Sequence, residues 1–593
     1  MPYHVYSGSW VTISGKEGKV VVQRAVVLIL AVLAAGRAFA QDGKLWTRIV
    51  GSVNYDFGYA VATDPFGNII VAGATQGSIS GSNAGRYDLF VAKYNSSGNR
   101  LWVRQRGTAE RDFAYGVATD ASGSIYVTGY TGAGLDGNSS LGGWDVFLMK
   151  FDPSGNWQWT RQDGTGPDDE GRAVATDPSG NVYITGYVRG NFHGIPRVGS
   201  SDIFISKYNS GGTRLWSALF GSTEVDESFG ITCDSAGNVF VTGWCSGSVE
   251  GNPYLANGDN ILAKYDTNGV RQWLRQWGTW NKDTGYSLAC DAAGNVYVSG
   301  YTTGPLYGSP IGDRDCFLAK YDAAGNLLWA GQWGTSGHDQ AWGVATDSAG
   351  NAYVAGETSG SMDGNAYAGG LDIFLSKYTA GGTRLWTIQS GTTGDDWADG
   401  VAFGPGGFVS IGGTTTGNLD GNTNAGLHDA FVMKFAPAPA PPTGAVAVPS
   451  AICQGASSQL FATPGSGGDT VEWFTGACGG APVPGGASPT VSPNVTTTYY
   501  ARTKNSSTGA TSETCVTVTV NVTPSPPGDL DSDCDVDVAD FGYFQACFNG
   551  PERPPAPSCF VDADLDNDGD VDVNDFAVFQ TCFNGPNNPA ACH

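Results

Sequence analysis

Basic residues are few in this 593-residue chain: 31 Lys and Arg stand against 56 Asp and Glu, for a net charge of −25. They gather into no stripe, which argues against nucleic acid and anionic membrane surfaces as partners. Long apolar runs are also missing. The run at 25–35 is too short to span a bilayer and no later segment is longer, so the chain does not read as an integral membrane protein. Lys16, Lys19 and Arg24 precede that run, and Ala38-Phe39-Ala40 follows it with a small-x-small pattern. Residues 1–40 therefore read as a secretion signal, and the expected location is secreted or cell-surface. Histidines number only five and glutamate is scarce, so little of the unique acid–base equipment of an enzyme stands out. What is abundant is glycine, 88 residues, with aromatics at 12% against charged residues at 15%, a composition suited to turn-dense β structure.

A block recurs seven times every 56–57 residues, with the pattern LW…G-[ST]…D…VATD-x-x-GN-x-YV-x-G-x-T…D-x-F-x-x-K-[YF]. Its tryptophans run from Trp46 and Trp102 to Trp386, and its lysines are Lys93, Lys150, Lys207, Lys264, Lys320, Lys377 and Lys434. A fixed period with the same apolar and turn residues means one supersecondary unit used many times. Each unit holds four short apolar or alternating runs and no helical periodicity, so the mainly β architecture expected over residues 42–435 is a seven-bladed β-propeller. The small-residue strand GVATD suits the crowded inner position, and LW is the outermost strand. The chain enters on Lys44–Val50 and leaves the seventh unit on its third strand, so Lys44–Val50 is expected to complete the last blade and remove two exposed edges. In-phase copies of this block resemble the bacterial β-propeller repeat family (SBBP), a resemblance that implies fold and export more than any activity.

Three polar sets recur in every copy: the lysines, the aspartates opening the third strand (Asp88, Asp202 and equivalents), and those entering the inner strand (Asp56, Asp112 and equivalents). A ring of carboxylates around a cation is one reading. Pairing with the buried lysines and capping of turns is the favoured one, because repetition in every blade lacks the asymmetry of a binding site. Both tight Asp-x-x-Gly turns fall on one face of the disc and the long loops on the other, the candidate face for a glycan or protein ligand. Its most individual loop, 188–201, carries Arg189, Phe192, His193 and Arg197: an anion or acidic-sugar site in the sharper reading, a solvated loop in the plainer one.

A Pro/Ala linker spans 436–443. Residues 444–522 turn Thr/Ser/Val-rich, with Cys453, Trp473 and Cys515 in the order of an Ig-like β-sandwich. The ICQG, WFTGACGG and SPNVTTTYYAR stretches resemble small Ig-like modules of bacterial surface proteins, usually spacers, with Cys453–Cys515 as the expected bridge and Cys478 unassigned. After a short linker at 523–527, residues 528–593 hold two matched acidic loops. Asp529, Asp531, Asp533, Asp535 and Asp540 fall at loop positions 1, 3, 5, 7 and 12, and Asp564, Asp566, Asp568, Asp570 and Asp575 repeat them. That spacing wraps a hard divalent cation, with position 7 ligating through its carbonyl, so two Ca2+ sites are expected, the second the better formed. Each loop runs into an apolar helix, a small α-helical domain with EF-hand-type loops. The duplicated loop–helix resembles a dockerin, which implies a cohesin-like or cell-surface scaffold partner. Cys534 in place of the turn glycine and the pairs Val538-Ala539 and Val573-Asn574 depart from the familiar pattern. Cys547–Cys559 and Cys582–Cys592 are the expected local bridges.

These readings converge on a non-catalytic binding or scaffold protein with a calcium-dependent docking module. The alternative is a polysaccharide-active propeller enzyme, hydrolase or lyase, and the two are separated by whether one channel mouth gathers acids and aromatics peculiar to a few blades.

Overall fold

The tight turns organise each repeat. In the first, Asp64 Oδ1 accepts the backbone N–H groups of Phe66 and Asn68, both at 2.9 Å, and Gly67 takes φ +81°. That hairpin joins Asp56–Thr63 to Ile69–Thr75; Asp88–Tyr94 and Arg100–Arg106 complete a four-stranded antiparallel sheet. The computed structural model describes residues 43–524, 526–531, 534–551, 555, 559 and 562–583; the segment 1–40, expected to be a secretion signal, lies outside them. Seven such sheets are present, and their inner strands contact one another in cyclic order, the seventh against the first. The fold is a seven-bladed propeller. The middle strands are buried along all or nearly all of their length because blades cover both of their faces.

Lys44–Val50 forms the outer strand of the last sheet, beside Asp429–Phe435. It places Trp46 opposite Lys434, the same register that sets Trp102 opposite Lys93 within the first blade. Deleting residues 43–50 should uncover the edge of Asp429–Phe435 and replace cooperative melting with aggregation, visible by light scattering and calorimetry; a stable monomeric deletion would refute closure by this strand.

The repeated lysines do not pair with the strand-opening aspartates, contrary to expectation. Asp202 and Lys207 lie five residues apart on one strand, roughly 16 Å along it. The partner is instead the aspartate of the inner tight turn. Lys93 meets Asp64 at 2.8 Å, Lys320 meets Asp291 at 3.2 Å, and Lys264 and Lys207 meet Asp234 and Asp177 at 3.7 and 3.8 Å. Each ammonium also donates to a carbonyl of the next blade's outer turn, as Lys93 does to Pro153 at 2.9 Å, so one buried cation ties two blades. The strand-opening and strand-entering aspartates do cap turns: Asp88 accepts from Ala84 N–H and the Gln105 amide, and Asp112 from Thr108. Burial, with the nearby carboxylates, pushes Asp112 up to about 6 and Asp226 up to about 7.

The network has three exceptions: Lys150 of the second blade, which donates to the Ser210 carbonyl at 3.0 Å and lies over the Tyr126 ring with no ion pair among the described residues, and two lysines at the seam. Gly404 stands where Lys434 would find its turn aspartate, so Lys434 sits over the Phe408 ring at 3.7 Å, and burial lowers its pKa. The seventh blade also lacks an outer turn, because the chain enters and leaves there. In the sixth blade Lys377 therefore pairs with Glu513 of the next module.

That module packs Thr443–Val448, Ser458–Thr463 and Thr490–Val491 against a second sheet containing Ala451–Cys453, Val516–Thr523, Thr497–Lys504 and Thr470–Thr475. Trp473 is buried between them and donates to the Ala487 carbonyl at 2.9 Å. The expected Cys453–Cys515 bridge is corrected: Cys453 bonds Cys534 and Cys478 bonds Cys515. The parallel pairing of Cys453 with Thr523 explains this, since it puts Cys453 at the far end of the strand from Cys515, roughly 26 Å away. Cys547–Cys559 is present as expected; Cys592 lies outside the described residues. The four propeller cysteines are free.

Two helices end the described chain, α1 (Val538–Cys547) and α2 (Val573–Cys582), each opened by a reciprocal capping box, Asp537 with Asp540 and Asp572 with Asp575. Phe541, Phe544, Phe576 and Phe579 form the core between them.

Candidate functional site

Every inner strand carries a β-bulge, which breaks the alternation of the strand and aims one extra side chain at the axis. The bulged residues are Tyr59, Tyr115, Arg172, Phe229, Tyr286, Trp342 and Asp399. Each lies three residues after the strand-entering aspartate, so the set rings the central channel near the long-loop face. Neighbours touch across blades: Tyr59 and Tyr115 at 5.0 Å between centroids, Phe229 and Tyr286 at 5.2 Å, Tyr286 and Trp342 at 4.2 Å. Arg172 bridges the gap in this belt, 4.5 Å from the Tyr115 ring and 5.6 Å from Phe229. Phe57, Tyr87, Phe113, Tyr130 and Trp144 extend the aromatic surface outward over the first two blades.

The polar groups of this mouth are not repeated around the ring. In the third blade Glu170 pairs with Arg172 at 2.8 Å and accepts from the Tyr187 hydroxyl at 2.5 Å. Burial raises Glu227 of the fourth blade, although Arg172 counters it. In the sixth, Glu357 accepts from Gln340 at 3.1 Å and lies 3.2 Å from His338, which also touches Gln340. In the seventh, Asp399 is half-buried, and its carboxyl is held well above the ordinary range by burial and by the charge of Glu357. Burial raises the Tyr59 hydroxyl as well, with Tyr115 and Asp399 adding to it, and lowers His428. Six buried polar atoms here have no hydrogen-bond partner among the described residues: Glu170 Oε2, Arg172 Nε, Gln340 Oε1, Trp342 Nε1, Asp399 Oδ2 and His428 Nδ1. The first two belong to the Glu170–Arg172 ion pair of the third blade; the other four lie in blades six and seven. Orphaned buried polar atoms are rare and call for an explanation, of which a ligand is one.

The loop at 188–201 does not converge on a pocket. Phe192 is fully buried against Phe204, and His193 lies 3.7 Å from Asp163 at an outer strand. Arg197 donates to the carbonyls of Arg189 and Ser200. Arg189 alone turns toward the mouth, its guanidinium 5.1 Å from the Tyr187 ring. The bulge residues are what reading by period overlooks. Their signal is one large, changeable side chain at a fixed place in a strand otherwise built of Gly, Ala, Val and Thr.

The acidic loops gather their carboxylates. Ligand atoms of Asp564, Asp566, Asp568 and Asp575 lie within 4.8 Å of one another, as do those of Asp529, Asp531 and Asp540. Asp533 lies outside the described residues. Asp535 and Asp570 fall in companion groups, with Asp537 and Asp540 and with Asp572 and Asp575. Asp575 also accepts the backbone N–H groups of Leu565, Asp566 and Asp572, so the carboxylate that closes the loop starts the helix too. At the turn Gly569 has φ +95° and Cys534 φ +81°. An all-oxygen donor set at this spacing fits a hard divalent cation.

Comparison with known families agrees with the fold. The model for the beta-propeller repeat matches residues 101–136, 158–193, 215–248, 272–307 and 328–361. That for the Ig-like domain, CHU_C associated, matches 439–524. The chain is thus a β-propeller repeat protein carrying an Ig-like module. It is similar to an uncharacterized WD repeat-containing protein of Acanthamoeba polyphaga mimivirus, 24% identical over 497 residues, covering 62% of this chain and 36% of that one. It is also similar to the regulatory protein FlaEY of Caulobacter vibrioides, 26% identical over 395 residues, covering 58% and 39%. The chain therefore spans less than two fifths of the length of these curated relatives. Among solved structures, Sqt1 from Chaetomium thermophilum is 10% identical with a TM-score of 0.37, covering 81% of this chain and 99% of that one. A polysaccharide lyase (ulvan lyase) is 10% identical with a TM-score of 0.38, covering 65% and 95%. Neither likeness bears on function. No helix among the described residues is long and apolar enough to cross a membrane.

Proposed function

We propose that this chain is an exported, non-catalytic binding and scaffold protein whose propeller holds a glycan at the channel mouth. Its C-terminal module, in this reading, takes up two Ca2+ ions and docks onto a cohesin-like or cell-surface scaffold. The observation that carries the glycan reading is the aromatic belt from Tyr59 to Trp342, interrupted by polar groups peculiar to single blades. Sugar rings pack their C–H faces on such surfaces, and their hydroxyls satisfy orphaned donors and acceptors. The Ig-like module acts as a spacer, fastened at the propeller seam through Lys377 and Glu513. The 14 carboxylates and single arginine of residues 528–593 support cation uptake, since such a density repels itself unless cations sit within it.

The test is a titration of the mature chain with a panel of oligosaccharides. Trp342→Ala and Tyr115→Ala should each weaken binding at least about tenfold, the loss of roughly 1.4 kcal/mol of stacking, with thermal unfolding little changed. Unaltered affinity in both variants would rule out the channel mouth. A second reading, a polysaccharide-active enzyme, draws on the high-lying Asp399 carboxyl beside Glu357. It requires that the same incubations release shortened or unsaturated products.

A further inference from the structure

The charge of the channel mouth narrows the ligand class, an argument that rests on the channel mouth being the ligand site. Four carboxyl groups, Glu170, Glu227, Glu357 and Asp399, face two guanidinium groups: Arg172, which Glu170 already neutralises at 2.8 Å, and Arg189, whose charge acts on Glu227 at the side of blades three and four. The imbalance is greatest where blades six and seven meet the first. There Asp399 occupies the bulge position that five other blades give to an aromatic ring, between Trp342 on one side and Tyr59 on the other. Its Oδ2 is buried with no hydrogen bond. Beside it Gln340, 3% exposed, keeps Oε1 unpaired. The charged and titratable groups around Asp399 are Glu357 and His338 of the sixth blade, Tyr59 of the first, and Asp395 and His428 of its own. None is a committed cation.

A carboxyl without a counter-ion, flanked by electron-rich ring faces, is the arrangement that attracts an organic cation: the rings offer quadrupoles and the carboxylate a full charge. We propose that the sector formed by Trp342, Asp399 and Tyr59 binds an ammonium group on the ligand, so that the preferred glycan is an oligosaccharide with free amino groups. Burial and the charge of Glu357 hold the Asp399 carboxyl above the ordinary carboxylate range, which favours its protonated form while the site is empty. An arriving R–NH3+ favours the carboxylate, so the Asp399 proton leaves to solvent as the ion pair forms, with no other change of bonding.

The experiment compares a glucosamine hexamer with its fully N-acetylated counterpart by calorimetric titration of the mature chain at pH 6, where the sugar amines are charged, in two buffers of different ionisation enthalpy. The expected result is a preference of about tenfold or more for the free amine, accompanied by proton release that the N-acetylated hexamer does not cause. Asp399→Asn should abolish both the preference and the proton release while leaving the weaker binding of the N-acetylated hexamer, which also shows that the variant is folded. Glu357→Gln should reduce the preference without removing the proton release. Equal affinity for both hexamers without proton release would overturn the ammonium site and leave the glycan reading standing. Binding of neither would overturn both.

Discussion

Asp64→Asn should destabilise the propeller by about 3–5 kcal/mol, whereas Lys434→Met should be neutral or stabilising by about 1 kcal/mol. Lys93 and Asp64 are almost completely buried and 2.8 Å apart. The amide keeps the shape of the turn, since its oxygen can still accept from Phe66 and Asn68, but it leaves the Lys93 ammonium in a dry interblade layer with only carbonyl partners. Lys434 already lives in that condition, over Phe408 with no carboxylate, so removing its charge relieves a cost that the other variant creates. The pH dependence separates the ion pair from the turn. Burial works against the Asp64 carboxylate, but Lys93 and Asn68 outweigh it and lower its pKa below the ordinary 3.8. A carboxylate depressed by folding stabilises above its unfolded pKa and loses that contribution as pH falls through the folded one. The difference between wild type and Asp64→Asn should therefore be full at neutral pH and shrink below about pH 3.8. Urea unfolding at pH 7 and at pH 3 measures it. A pH-independent difference, or a costly Lys434→Met, would mean that the lysines are not held as buried ions.

What could be read in advance followed from periodicity. Repetition exposes the blade, the order of its strands and the leftover strand Lys44–Val50, because each is a statement about which residues recur and which copy is incomplete. It also draws attention to Lys207 and its equivalents as buried charges. It misassigns their partner, because Asp202 and Asp177 recur equally well and only the length of a strand decides which of them the ammonium can reach. The channel mouth stays hidden for a related reason. A bulge resets the alternation that pattern reading relies on, so Tyr59 and Asp399 look like interruptions of a small-residue strand rather than residues aimed at the axis. Averaging over repeats removes the very differences from which a site is made. The Cys453–Cys534 bond was out of reach on other grounds. It joins two modules across a linker, and nothing in the spacing of Cys453, Cys478 and Cys515 says which end of a sandwich faces the next domain.

The two acidic loops should bind Ca2+ unequally, the second about five- to thirtyfold more tightly. Both present carboxylates at matching positions, so the difference is expected from the backbone between them. Gly569 at φ +95° pays no steric cost for the left-handed turn that brings Asp564 and Asp568 to the same centre. Cys534 takes φ +81° with a Cβ, which costs roughly 1–2 kcal/mol, or about five- to thirtyfold in a binding constant. Titration of the full mature chain should then resolve a tight and a weak site. Asp564→Ala should remove the first and Asp529→Ala the second, because each carboxylate sits at position 1 and also receives backbone donors from its own turn, Gly569 N–H at 2.9 Å and Cys534 N–H at 3.3 Å. Cys534→Gly should bring the weak site toward the strong one, with Cys453→Ser as the control for the lost disulfide. Chelation should unfold α1 and α2 while the propeller melts at an unchanged temperature, since none of its blade contacts involves these loops. Equal affinities in the wild type, or a first loop indifferent to glycine at 534, would show that turn strain does not set the order of binding. An absence of calcium uptake would remove the docking module from the proposed function and leave the channel mouth as the site that remains.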